Sequence, residues 1–540
     1  MHYSRIAQAL QEISRASRGC KADLAAGLLS EIEPDSEMLC PAVRLLLGEL
    51  WPPWEEREMG IGPEALMTAL AEVSDQDIPS LWERFSDIGQ VAEAALEQKG
   101  QHSLFHEPLK ALSVYESLRR ISEMRGKESE QRKNALLRGL FLEATPQEGK
   151  FIARTALRNL QAGIGHKTMI AAISSSLNCD PEEIERAYSL KPDLGSIAVM
   201  AQWRKLNEAT VQAKTPIRFM LFRQRDPEVP GCFLPRYPGL RVQVHKGKKE
   251  TFIFTSHLRN ITAFLSNITL QLDRVESDFV ADCLLIGFQD RGSLRNVICS
   301  QAEMLWYINR RHLSRKSRIR PALMAYDLIA WQGKDICSMP YQHRREKLVS
   351  MLGNPQIMPF QGISPAPEYV LTDPGAVDEL FSKAAGARAL LMRDPEAPYL
   401  PGMISKEDFI IGAEQKLAAM IVRVSWGQGK NEIMAGKYQV ALRNDDELVP
   451  VGWTGFGLSE PDRLRLFHAL KSLAINKGEC EVGGDSEEPV LAQVLLNLKI
   501  KGAHKRAGRY VIDHPVIEGF VLNASPGDAD ELSRLEEIRS

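Results

Sequence analysis

Near Lys214-Thr215-Pro216 the chain changes texture, and that change excludes any single uniform architecture. Before it, apolar residues recur at intervals of three and four in Ile6–Ile13, Leu66–Val73, Ala135–Phe141 and Thr168–Leu177, the period of helices buried along one face. Asp180-Pro181-Glu182-Glu183 predicts a helix start, with a capping side chain, proline in the first turn and acids beside the positive helix end. After the change come short apolar segments. Leu240–His245 and Thr251–Thr255 flank Lys246-Gly247-Lys248-Lys249, a hairpin pattern, and Val280–Phe288 reads as a buried strand. Further on, Ala418–Val424, Tyr438–Leu442 and Leu448–Val451 alternate with glycine-containing turns, predicting a small barrel interrupted by a helix at Pro461–Leu473. The stretch Asp528–Arg539 is charged. The expected fold class is multidomain α+β: an all-α unit over 1–213, a mixed α/β unit over 214–413 and a small β-barrel over 414–540.

Overall charge names no partner, because a formal net charge of −3 with 25% charged residues is ordinary. Its distribution says more. Residues 1–100 hold eight Lys/Arg against eighteen Asp/Glu, a poor phosphate-binding surface. Basic residues gather instead in Arg310–Arg320 and Lys499–Arg509. The eight cysteines form no C-x-x-C pair, so neither a metal knuckle nor a disulfide framework is expected. No apolar run reaches membrane-spanning length, and a cytoplasmic protein without a membrane partner is expected.

Four segments carry a resemblance. Pro216-Ile217-Arg218-Phe219-Met220-Leu221 precedes Arg236-Tyr237-Pro238-Gly239-Leu240-Arg241-Val242-Gln243-Val244-His245-Lys246, which resembles K-Y-D-G-E-R-V-Q-x-H-K. Ala325-Tyr326-Asp327-Leu328 with Gly333-Lys334-Asp335 resembles F-D-L…G-x-D/S, and Arg393–Gly402 resembles K-D-P-x-S-P-Y-x-P-G. Ser86–Ala92 and Asn159–Gly165 add two matches in the helical part. Together these resemble the ATP-dependent DNA ligases of the archaeal and eukaryotic kind. The resemblance implies a helical DNA-binding domain, a nucleotidyltransferase (adenylation) domain and a C-terminal OB-fold.

It also implies a chemistry. Such ligases attack ATP with a lysine amine, pass AMP to a DNA 5′-phosphate and then seal the nick. Here Arg236 stands at the nucleophile position. A guanidinium, which keeps its proton far above neutral pH and has delocalised lone pairs, is no nucleophile at neutral pH. The neighbouring positions have changed too. Leu234 and Leu284 replace glutamates, Ser256 an arginine, Arg388 a glutamate and Arg393 a lysine, while Ile512-Asp513-His514-Pro515-Val516 stands where the family has L-R-F-P-R. Magnesium bridging phosphates is held by carboxylates, and the pattern keeps none of them. The reading is therefore a pseudoenzyme pattern with no intact catalytic residue and no metal site, for which no cofactor is expected. ATP and Mg²⁺ return only with the alternative, an active ligase whose amine comes from Lys246 or Lys248-Lys249. Arg241 and Tyr326 remain as candidate nucleotide-binding remnants; each reads equally as a structural side chain.

Candidate DNA contacts are Arg132, Lys133 and Lys167 in the helical part, and Arg310, Arg311, Arg315 and Lys316 in a stretch without acids. The group Lys499, Lys501, Lys505, Arg506 and Arg509 is a second basic stretch. Gln101-His102-Ser103-Leu104-Phe105 resembles the Q-x-S-F/L-F segment that binds the sliding clamp, with Gln101, Leu104 and Phe105 as the contacts. Expected partners are DNA, that clamp, and an active ligase or other replication and repair proteins.

Overall fold

The structure is a computed structural model that describes the chain except residues 35, 56, 100–106, 127, 226, 292–293, 310–317, 355–361, 385, 413–414, 427–434, 445–446, 474–486, 501, 507, 533 and 536–540. Among the described residues, twelve α-helices lie between Tyr3 and Gln202. The periodic positions face inward: Ile6, Leu10 and Ile13 of helix Tyr3–Arg15 are fully buried, as are Leu66 and Leu70 of Pro63–Ala71. The expected start at Asp180 is present, its carboxylate accepting the Glu182 N–H at 3.0 Å. This core continues into the strand region through Val280, Ile329 and Tyr399.

Strands follow from Leu221. They are β1 (Leu221–Gln224), β2 (Gly231–Arg236), β3 (Leu240–Lys246), β4 (Thr251–Thr255), β5 (Phe279–Arg291), β6 (Leu294–Ile298), β7 (Arg320–Trp331), β8 (Lys334–Asp335), β9 (Gly362–Pro365), β10 (Tyr369–Leu371), β11 (Ala389–Arg393) and β12 (Ile404–Gly412). One sheet runs β4-β3-β5-β7-β8, with β6 on β5 and β9 on β7; the other runs β1-β12-β11-β2-β10. Leu234 and Leu391 from the second sheet pack on Leu284, Ile286 and Tyr326 from the first, so a dry layer separates the two. Between β2 and β3 the chain passes so close to β5 that a Cβ on Gly239 would lie 2.5 Å from the Leu285 carbonyl oxygen. Glycine there is a steric requirement.

The last strands are β13 (Gln415–Trp426), β14 (Ala435–Asn444), β15 (Glu447–Thr454), β16 (Glu487–Pro489), β17 (Val494–Ile500), β18 (Gly502–Arg506), β19 (Arg509–Asp513) and β20 (Val516–Leu522). They form an antiparallel sheet β15-β14-β13-β17-β20, with β16 on β13 and a separate β18-β19 hairpin. Among the described residues the ladder ends at β15 and β20, so the expected barrel is here an open sheet. Helix Glu460–Leu473 covers it where a helix was expected. The charged stretch after Asp528 is no loose tail up to Leu535. Asp530 exchanges hydrogen bonds with the Ala418 backbone at 2.8 Å, and the Leu535 side chain is fully buried.

Candidate functional site

Arg236 ends β2, opposite Ala389 of β11. It opens onto a cavity of about 860 Å³ whose wall includes Gly239, Leu284, Arg388 and Ile410 on one side and Lys499, Ile500, His514 and Val516 from the C-terminal sheet on the other. Ser256, His257 and Arg259, which follow β4, line it as well. Among the described residues no carboxylate does. Among the described residues the Arg236 guanidinium makes no hydrogen bond or ion pair. Burial lowers its pKa, and the charge of Arg241 lowers it further. An arginine nevertheless remains charged in a protein, so the wall presents an uncompensated cation. Arg388 behaves similarly: burial lowers its pKa, Asp513 opposes that, and its backbone N–H donates to the Arg236 carbonyl at 2.9 Å.

Behind that wall every charge has a partner. Arg241 donates to Asp282 (3.0 Å from Nε) and to the Met220 carbonyl (2.8 Å), and lies over the Phe219 and Phe222 rings. Tyr399 donates to the same Asp282 at 2.9 Å. Arg241, expected as a nucleotide-binding remnant, lines the cavity while Nε, Nη1 and Nη2 each donate inward. Tyr326, the other expected remnant, also turns inward. Its hydroxyl donates to the Pro235 carbonyl at 2.6 Å, and its ring is buried in the layer between sheets. Only a void of about 20 Å³ remains beside it, bounded by Leu284, Leu391 and Arg393. A purine has no room there in this conformation.

Arg393 does not face the cavity. It is 1% exposed, donates to Asp327 at 2.6 Å, lies 3.3 Å from Asp408 as an ion pair without hydrogen-bond geometry, and stacks on Tyr341. Arg344 grips the same Asp327 with two bonds of 2.9 Å. Burial would raise the Asp327 pKa, but the two guanidinium groups overcome it and pull the value down to about 2. Two acids and two arginines thus neutralise one another in the interior. Leu234 and Leu284 are buried beside them, filling space with carbon where the family pattern has carboxylates.

Among the DNA candidates, Lys133 is corrected. It is 6% exposed, and its ammonium donates to the Met59 and Gly60 carbonyls at 2.8 and 3.1 Å. Burial lowers its pKa. Arg132 and Lys167 are exposed, Arg132 donating to the Glu128 and Arg125 carbonyls. Asp87 joins the two motif segments of the helical part: it caps Ile88–Glu97, pairs with Arg154 at 2.8 Å and accepts from Gln161 at 3.0 Å. Arg310, Arg311, Arg315 and Lys316, and the segment with Gln101, Leu104 and Phe105, lie outside the described residues. The sequence reading missed Arg259, His257 and His514 as cavity residues. Lys246 is away from the cavity, its ammonium donating to the Gly247 carbonyl at 2.7 Å, whereas Lys499 lines it.

The comparisons with known proteins decide the family. The family model described as "DNA ligase N terminus" matches residues 2–174, and that described as "ATP dependent DNA ligase domain" matches residues 232–408. The chain belongs to the ATP-dependent DNA ligase family. Two relatives of this family match nearly end to end. A "DNA ligase" of Methanothermobacter thermautotrophicus is 27% identical over 560 residues, spanning 99% of this chain and 97% of its own. A "DNA ligase" of Thermococcus onnurineus is 27% identical over 531 residues, spanning 94% and 92%. A solved structure named "Pmar-Lig_Pre." aligns over 95% of this chain and 98% of its own, with a TM-score of 0.53 at 14% identity, which speaks for the fold alone.

Family membership corrects the expectation that no cofactor is used. The model that fits residues 232–408 is that of an ATP-dependent family, whose cofactors are ATP and Mg²⁺. Arg236 and Arg388 line the cavity and are the cations that would face the phosphates of such a nucleotide. Among the described residues no group of three or more His, Cys, Asp or Glu is placed to hold a metal. Among these residues no helix is long and apolar enough to cross a membrane.

Proposed function

We propose that this chain is a DNA-binding ligase homologue that forms no enzyme–adenylate, acting beside active enzymes in replication or repair. One observation carries the reading: among the described residues the cavity wall holds Arg236, whose guanidinium makes no hydrogen bond or ion pair, and no Asp or Glu. A guanidinium keeps its proton and its lone pairs stay delocalised, so it can hold a phosphate but cannot attack one. The same wall attracts the phosphodiester backbone, and the exposed Arg132 and Lys167 extend the cationic surface into the helical part. We further infer that the C-terminal sheet is an OB-type unit, supported by its five-strand antiparallel ladder and covering helix. Clamp binding through Gln101, Leu104 and Phe105 is supported by their sequence pattern.

The second reading, an active ligase using another amine, has among the described residues one lysine in the cavity lining to draw on, Lys499. A nick-sealing assay with ATP and Mg²⁺ on a singly nicked duplex separates the two. The chain is expected to retain the duplex, with affinity falling steeply as salt rises, and to seal nothing. Sealing that disappears in Lys499→Ala would establish the second reading instead.

A further inference from the structure

Two spaces of very different size meet at Arg236. Arg236, Arg241 and Leu284 line both the cavity of about 860 Å³ and the void of about 20 Å³ beside Tyr326. The void has room for about one water molecule. What closes it is structural. Leu284 and Leu391 are buried, and with Leu234 and Tyr326 they form the dry layer between the two sheets. The Tyr326 hydroxyl is spent on the Pro235 carbonyl, and Arg393 is tied to Asp327 and stacked on Tyr341. Opening the void for a heterocycle means parting the sheets.

The larger space differs in kind. Arg236 and Arg388 line it, and among the described residues neither guanidinium makes a hydrogen bond or ion pair, Asp513 acting on Arg388 only through space. Their backbones are fixed, the Arg388 N–H donating to the Arg236 carbonyl. Arg259 lines the space as well, anchored on Asn309 and the Ile308 carbonyl. Guanidinium N–H groups without protein acceptors suit phosphate oxygens. Telling one base from another takes a fitted slot with hydrogen-bonding groups aimed at the base edge, and the slot beside Tyr326 is closed. We propose that the Arg236 cavity binds a phosphate chain without recognising a base, so that its ligand class is a soluble triphosphate of any nucleoside or of none. Such a ligand lies beyond the DNA-binding reading, and its binding is measured without DNA.

The test is calorimetric titration of the full chain with ATP, GTP, methyl triphosphate and adenosine. Methyl triphosphate keeps the phosphate chain and lacks the nucleoside; adenosine is the nucleoside alone. The three triphosphates should bind within about fivefold of one another, the least that a stacked base contributes, and adenosine should not bind. Arg236→Ala should weaken all three alike by about tenfold, the loss of a charged hydrogen bond, with its circular dichroism unchanged. Arg388→Ala, as a second variant, should act in the same direction. ATP binding more than about fivefold tighter than GTP or methyl triphosphate, or measurable binding of adenosine, overturns the proposal, because a base pocket must then open. Failure of all three triphosphates to bind, or binding that both variants leave intact, overturns it as well. DNA affinity is read separately, from the duplex titration in salt, and stands or falls on its own.

Discussion

Two arginines one strand apart show how differently the same side chain is used in this molecule. Arg393, in the interior, is fully buried and answers to Asp327 and Asp408. Arg236, at the cavity, is half-buried and, among the described residues, makes no ion pair with an acid, Asp282 acting on it only through space. A buried charge is tolerated only when compensated. The interior supplies its own counter-charges, whereas the cavity wall leaves room for an anion from outside. Substitution at positions that the ligase pattern reserves for chemistry has thus produced two outcomes, a neutral structural core and an anion-receptive surface.

Breaking the interior half of this comparison should have the largest effect. Asp327→Ala leaves Arg344 and Arg393 without their shared partner, and loss of one side of such a buried pair costs about 3–5 kcal/mol. Arg236→Ala removes an uncompensated cation, so urea denaturation should show stability unchanged or raised. Equal losses from the two substitutions would erase the distinction.

Acid probes the same network with a smaller effect. The folded-state pKa of Asp327 is held at about 2 by its arginines, against about 3.9 for a free aspartate. The stabilisation is then complete above about pH 4 and is lost as pH falls through about 2, a contribution of about 2–3 kcal/mol. Urea midpoints followed down through that window should fall in wild type. In Asp327→Asn this component of the fall should be missing, because the amide does not titrate.

Lys133 and Lys167 sharpen the contrast in the helical part. Lys133→Ala leaves the Met59 and Gly60 carbonyls short of a donor, at about 1–3 kcal/mol in thermal or urea unfolding, with DNA affinity unchanged. Lys167→Ala should do the reverse, sparing stability and weakening DNA binding. The smallest expected change is in salt dependence: if Arg236 meets one DNA phosphate, Arg236→Ala lowers the slope of log affinity against log salt by about 0.9.

Much of the fold was legible because periodicity is local. The helical period, the hairpin around Gly247 and the helix near Pro461 needed only neighbouring residues. The chemistry at residue 236 was legible for a simpler reason, since a guanidinium's properties travel with the residue. What escaped the sequence were pairings between distant segments. Arg393 meets Asp327, and Arg241 meets Asp282, across strands that share no sequence neighbourhood. Lys499 and His514 reach the Arg236 cavity only because the C-terminal sheet is placed over it. Lys133 had a clue that was passed over. It precedes the buried Leu137 and Leu140 by four and seven residues, which puts it on the inward face of its helix. Closure of the barrel was not legible for another reason: alternation and turns predict strands, but closure depends on which edges pair.

Intact mass of the purified 60.4 kDa chain, before and after incubation with ATP and Mg²⁺, tests the role of Arg236 most directly. The account predicts one species at the unmodified mass, whether or not DNA is present. A stoichiometric population heavier by a single adenylate would contradict it, because some amine in this protein would then be performing the reaction that a guanidinium cannot.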